Sequence, residues 1–153
     1  MTSISKTILH TWKNLFCIVL ILVASGYILA TPYLVEVINV YHSIDQRIPE
    51  YFKLTVAIEI RNYALLDVTV EGVLVLHCTL MSGLKKDIIY PVERRVVKPH
   101  SSETLEATIF FTFTTPEKPE AIYTYSVDAV IVVRGVLTSR IIEVKSIYYV
   151  GEE

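Results

Sequence analysis

The residues able to do chemistry are few and scattered. The four histidines, His10, His42, His77 and His100, have no helical or hairpin spacing to one another or to a carboxylate that would build a metal site. His77 alternates with Leu76 and Cys78, which puts it on the outer side of a strand. Carboxylates such as Glu103 with Glu106, or Glu117 with Glu120, stand near turns, where solvated charge is the ordinary outcome and a glycosidase-like pair is not implied. No Gly-x-Ser-x-Gly, P-loop, Gly-x-Gly-x-x-Gly or His-Glu-x-x-His motif occurs, and five glycines leave little for loops that cradle phosphate. The expectation is a non-enzymatic protein with no catalytic residue, no cofactor, no metal site and no small-molecule substrate.

Residues suited to contact rather than catalysis are more numerous. Tyr123 with Tyr125, and Tyr148 with Tyr149, form a candidate interaction surface, because exposed tyrosine is common in interfaces; cross-strand packing is the competing reading. Arg94 and Arg95 can meet anionic lipid, or can simply guard an edge strand against aggregation. A net charge of -2 supplies no basic excess for a phosphate backbone, so nucleic acid is not an expected partner. Asn14, Asn39 and Asn62 lie outside any glycosylation sequon.

The element that must position this surface is an N-terminal span. Residues 15–34 carry no charge, and twenty residues at the helical rise reach roughly 30 Å, the thickness of a bilayer core. Trp12 and Lys13 precede the run, Tyr27 stands near its far end and Tyr33 follows Pro32, a set suited to anchoring both interfaces. Ala24, Ser25 and Gly26 are small enough to let another helix approach. Lys6 and Lys13 precede the run without an acidic residue, while Glu36, Asp45 and Glu50 outweigh Arg47 after it. The flank 1–14 is therefore expected in the cytoplasm and the following domain outside. A cleaved signal ending at Val23-Ala24-Ser25 or Ala24-Ser25-Gly26 is the rival reading, giving a secreted domain, and a buried core helix is a third.

Past Pro32 the pattern turns to alternation, the mark of strands with one face buried. In 52–60, Phe52, Leu54, Val56, Ile58 and Ile60 share one face. In 68–80, Val68, Val70, Leu74, Leu76, Cys78 and Leu80 do the same, with Gly72 marking a bulge or a close approach. Further strands are expected at 33–41, 88–97, 103–114, 125–137 and 139–150, joined by turns at 62–67, 81–87, 98–102 and 115–120. Pro91 places 88–97 at a sheet edge. About seven short strands without a later helix predict an all-β fold. It is an antiparallel two-sheet sandwich of the immunoglobulin or fibronectin kind over 35–150, preceded by one transmembrane helix and followed by a tail at 151–153. Cys17 lies in the apolar run and Cys78 in a strand, so burial and not a disulfide must hold the fold. The single glutamine, Gln46, and the scarcity of asparagine fit a heat-adapted source.

The stretch 55–76, TVAIEIRNYALLDVTVEGVLVL, resembles the late-embryogenesis-abundant type 2 family and its water-stress and hypersensitive-response (WHy) domain. In that family an alternating strand ends in an Asn-Pro-type turn before a second strand. Asn62 matches the turn asparagine, while Tyr63 stands where the family usually has proline. Residues 97–105 resemble its Pro-x-Ser turn and 133–136 its late strand with glycine, so the resemblance spans about 35–150. It implies a largely non-enzymatic, membrane-tethered protein of the kind linked to stress or desiccation tolerance.

The expected function is therefore a membrane-anchored binding or protective module. Its partners would be the lipid bilayer and a protein reached through a sheet edge or the membrane helix. A structural subunit of a surface filament or envelope layer, and an accessory subunit of a membrane complex, are the two alternatives.

Overall fold

The computed structural model describes residues 3–48, 51–80, 83–112, 122–145 and 148–150, with side chains at 12–45, 53–80, 83–110 and 125–145. The expected connection at 115–120, Met81 and Ser82 of the 81–87 turn, and the tail 151–153 lie outside the described residues.

Helix α1 runs Ser3–Ala30 and passes into a 3-10 turn, Thr31–Leu34. The first proline of the chain, Pro32, ends the α-helix, because its ring blocks the continuing turn and it has no N–H to donate. The helix is apolar but not a core element. Phe16, Leu20, Leu22 and Val23 are all more than half exposed, which excludes the buried-helix reading. Residues Trp12–Leu34 are long and apolar enough to cross a membrane.

The strands follow as β1 (Val35–Ile48), β2 (Tyr51–Asn62), β3 (Val68–Leu80), β4 (Lys85–Val97), β5 (Ser102–Thr112), β6 (Ile122–Arg134), β7 (Ser139–Val144) and β8 (Tyr148–Val150). One sheet has the order β1-β2-β5 and the other β4-β3-β6-β7, all pairs antiparallel. Both β7 and β8 lie along β6, at 129–134 and 124–126, so they are two parts of one edge strand and the sandwich has seven strand positions. The expected fold is the observed one. In an immunoglobulin constant domain the fourth strand pairs with the fifth; here β4 pairs with β3, as in the three-plus-four fibronectin arrangement.

Alternation dictates the core. Leu54, Val56, Ile58 and Ile60 of β2 are buried and register opposite Ile109, Ala107, Leu105 and Glu103 of β5, the first three of these pairs being apolar on both strands. The even-numbered set of β3, with Ala129, Ile131 and Val133 of β6, closes the opposite wall. Each fully buried Leu or Ile contributes about 1.5–3 kcal/mol. Cys17 and Cys78 are free thiols, so these contacts and not a cross-link hold the sandwich together.

Gly72 meets both expectations at once. A Cβ there would sit 2.5 Å from the Val130 carbonyl oxygen, and the β3–β4 register shifts between Val70 and Gly72. The shift inserts an extra residue in β4 near Glu93 and Arg94, which is why Val92 and Val97, five apart, both point inward. Strand β4 lies at a sheet edge, where Pro91 costs no ladder bond to an outer neighbour.

Candidate functional site

The part of the molecule most elaborately built is the junction between α1 and one end of the sandwich, where the loops 63–67, 98–101 and 135–138 converge. A helix leaves its last carbonyls without partners, and here the domain supplies them. Thr138 Oγ1 donates to the Leu29 carbonyl at 2.8 Å, the Tyr63 N–H to the Leu34 carbonyl at 2.9 Å, and Arg140 Nη1 to the Tyr33 carbonyl at 3.3 Å. Thr31 Oγ1 folds back on the Tyr27 carbonyl at 3.2 Å, and Tyr27 Oη accepts the Leu65 N–H at 2.6 Å. Thr31 and Pro32 are buried. Gly135 lets its loop close on them, since a Cβ there would meet Pro32 Cγ at 2.9 Å.

Asn62 holds the adjoining crossover. Its side chain is fully buried, and Nδ2 donates to the carbonyls of Leu66 at 2.8 Å, Val97 at 3.1 Å and Lys98 at 3.3 Å. Its Oδ1 accepts the Ala64 N–H at 2.9 Å, an Asx turn that fixes the loop from β2 to β3. One amide thus joins the ends of β2 and β4 and the start of β3.

The residues expected at the membrane interface divide between the two ends of the apolar stretch Trp12–Leu34. Trp12 and Lys13 are exposed at its start, well inside α1. Tyr27 is half-buried against the loop, and Tyr33 is exposed with the Arg140 guanidinium 5.7 Å from its ring centre. Ala24 lines an apolar crevice with Leu20, Val23, Tyr27, Ile28, Leu65 and Leu66, while Ser25 and Gly26 face outward. No motif singles out Thr138 or Arg140, and Gly135 stands out in the sequence only as the glycine of the 133–136 resemblance. The available signal is composition: Tyr63, Leu65, Leu66, Val136 and Leu137 are apolar residues in turns, where polar ones are usual.

The candidate tyrosine surface is corrected in part. Tyr125 is only 4% exposed and belongs to the core, because it shares the inward side of β6 with Ala129, Ile131 and Val133. It borders a cavity of about 120 Å³ between the sheets, with Val40, His42 and Val144. The side chains of Tyr123, Tyr148 and Tyr149 lie outside the described residues; the backbone of Tyr149 pairs with that of Tyr125. Arg94 and Arg95 are exposed on the β4 edge, Arg95 with Glu93 at 3.3 Å. His77 stands on the outer face of β3, its Nδ1 2.8 Å from Asp87 and its Nε2 3.6 Å from Asp128 on the neighbouring strands. Among the described residues no group of three or more His, Cys, Asp or Glu is placed to hold a metal ion.

No protein-family model matches the sequence, and no curated protein does. A solved structure shares the fold. The chain is similar to a Northeast Structural Genomics Consortium target, SoR45, at 12% identity and a TM-score of 0.53, over 80% of this chain and 90% of that one. It is also similar to a protein from Archaeoglobus fulgidus, at 12% identity and a TM-score of 0.49, over 77% and 99% of the two chains. A β-glucuronidase from Bacteroides uniformis aligns at 17% identity and a TM-score of 0.49, over 72% of this chain but 13% of the enzyme.

Proposed function

We propose that this chain is a non-enzymatic binding or protective module, of the late-embryogenesis-abundant type 2 kind, held at the outer side of a membrane by a retained α1. The observation that carries the reading is the junction. The domain holds the Leu29, Tyr33 and Leu34 carbonyls with Thr138, Arg140 and Tyr63 and buries Thr31 and Pro32, so the end of α1 is fixed to the sandwich and not joined to it by a free linker. A cut near Gly26 would leave a single turn before Pro32, too short to persist as a helix. The charge difference across the span favours an outward domain.

A protein partner is reached through a sheet edge. Among the described residues, strands β1 and β7 each leave one side unpaired, and a groove between them is lined by Val35, Val37, Arg140 and Ile142. The same edges serve the rival reading of an assembling surface subunit.

Intact mass and detergent dependence of the protein taken from its host membranes test the proposal. A full-length mass with extraction only in detergent is expected, and crosslinking in the intact membrane then finds the neighbour. A soluble product beginning near Gly26 or Tyr27 would overturn the anchor.

A further inference from the structure

The junction places apolar loop residues beside the apolar helix, and their exposure sets up a second contact with lipid. Leu65 is 64% exposed, Val136 66% and Leu137 67%, each at the tip of a loop on the end of the sandwich from which α1 emerges. Tyr33 at 60% and Tyr63 at 43% flank them. Loop tips on a water-facing domain have no reason to present this row of side chains.

Their depth relative to the helix says what covers them. Leu65 and Leu66 line one crevice with Leu20, Val23, Ala24, Tyr27 and Ile28, and the Leu65 N–H is bonded to Tyr27. Tyr27 lies seven residues before Leu34, the end of the apolar run, which at about 1.5 Å per residue is on the order of 10 Å along the axis. Amphipathic elements at a membrane surface bury their apolar side about 5–10 Å into the boundary between headgroups and acyl chains. If residues 12–34 span, the 63–67 loop is already at that depth. Around the same end stand Arg61, with its guanidinium 5.2 Å from the Tyr63 ring centre, Arg140 against Tyr33, and the exposed Lys98, at the level where lipid phosphates lie. Asp67 is the acidic residue within these loops.

We propose that this end of the sandwich is itself a lipid-surface binding site. The tips at Leu65–Leu66 and Val136–Leu137 sit in the outer interface of the bilayer, with Tyr33 and Tyr63 at the headgroup level and Arg61, Arg140 and Lys98 meeting phosphate. The domain then rests on the membrane in one fixed orientation and holds the β1 and β7 edges to the side. The inference rests on the membrane-anchor reading and deepens it.

The test uses the full chain reconstituted into phosphatidylcholine vesicles containing a fraction of phosphatidylglycerol. Single cysteines carrying an environment-sensitive fluorophore are introduced by Leu65→Cys, Val136→Cys, Val19→Cys and Leu84→Cys in a Cys17→Ala background, Cys78 being buried. All four positions are exposed in the fold, so none of these substitutions disturbs packing. Lipid-borne nitroxide is expected to quench the probes at positions 65 and 136 several-fold more than the probe at 84, with iodide in the water showing the reverse order. Probes at 65 and 136 that behave like the one at 84 overturn the proposal. The probe at 19 then separates the cases: quenched by lipid, it leaves the anchor standing without the surface contact, and quenched by iodide, it takes the anchor down as well.

Discussion

The phenol of Tyr27, in the last turns of α1, accepts a 2.6 Å hydrogen bond from the backbone N–H of Leu65, thirty-eight residues later in the chain. This bond ties the helix to a loop of the sandwich at a point within the apolar run. Tyr27→Phe removes the acceptor and leaves the ring in place. The expected cost is about 1 kcal/mol, the ordinary net worth of one hydrogen bond. Amide exchange at Leu65 in a detergent-solubilised sample should speed up, while amides in the middle of β2 and β3 keep their protection. Unchanged exchange at Leu65 would show that the bond does not form.

Asn62 is a harsher target. Asn62→Ala leaves the Leu66 and Val97 carbonyls and the Ala64 N–H without their partners in a buried site, at about 1–3 kcal/mol for each group left unsatisfied. A loss of about 3 kcal/mol or more is expected by denaturant unfolding, with loop 63–67 losing its fixed shape.

The neighbouring residue has a role that proline could not fill. Tyr63 uses its N–H to hold the Leu34 carbonyl, which a proline cannot do. Tyr63→Pro should therefore cost about 1 kcal/mol or more at the junction, measured as a lower melting temperature in detergent.

Three glycines give a graded series. Gly72→Ala forces a methyl against the Val130 backbone oxygen, which cannot swing away, and should destabilise by about 1–3 kcal/mol. Gly135→Ala presses on the Pro32 ring, which can shift slightly, so a smaller loss is expected, felt at the junction. Gly26→Ala meets nothing within 4 Å and should be neutral or stabilise the helix by up to about 1 kcal/mol. Thermal melts of the three variants should fall in that order, Gly72→Ala lowest.

How much of this was readable in the chain depends on the range of the interactions. Residues 52–60 announce β2 by their alternation, and the described part of that face, Leu54 to Ile60, is buried; the even-numbered set of β3 does the same. Pro91 marks an edge from local chemistry alone. Gly72 points to a bulge or a close approach, but that the extra residue falls in β4 near Glu93 and Arg94 shows only against the partner strand. The junction was hidden for a similar reason: Thr138 meets Leu29 and Arg140 meets Tyr33 across more than a hundred residues, and neither side chain belongs to a motif. Tyr125 illustrates the opposite failure. A tyrosine near other tyrosines suggests a surface, yet strand parity alone puts it with Ala129 and Ile131 in the core. Asn62 was recognisable as a turn residue from sequence, but its grip on Val97 and Lys98 was not.

Cys78 allows a pH test of the core. Burial, assisted by the negative charge of Asp87 and opposed by Lys86, pushes its thiol pKa from 9.0 up to about 11. Between those values the unfolded chain gives up the proton and the folded chain keeps it, so rising pH favours unfolding. The contribution of Cys78 is fully present below about pH 9 and is lost as pH climbs through about 11. Denaturant unfolding of the parent and of Cys78→Ala, in steps from pH 8 to about pH 11, isolates it. The variant starts lower, because a buried atom is lost, but its stability should decline less steeply over that window. The same burial predicts that a thiol reagent at pH 8 modifies Cys78 only as fast as the sandwich opens, and modification at the rate of a free thiol would place Cys78 outside the core.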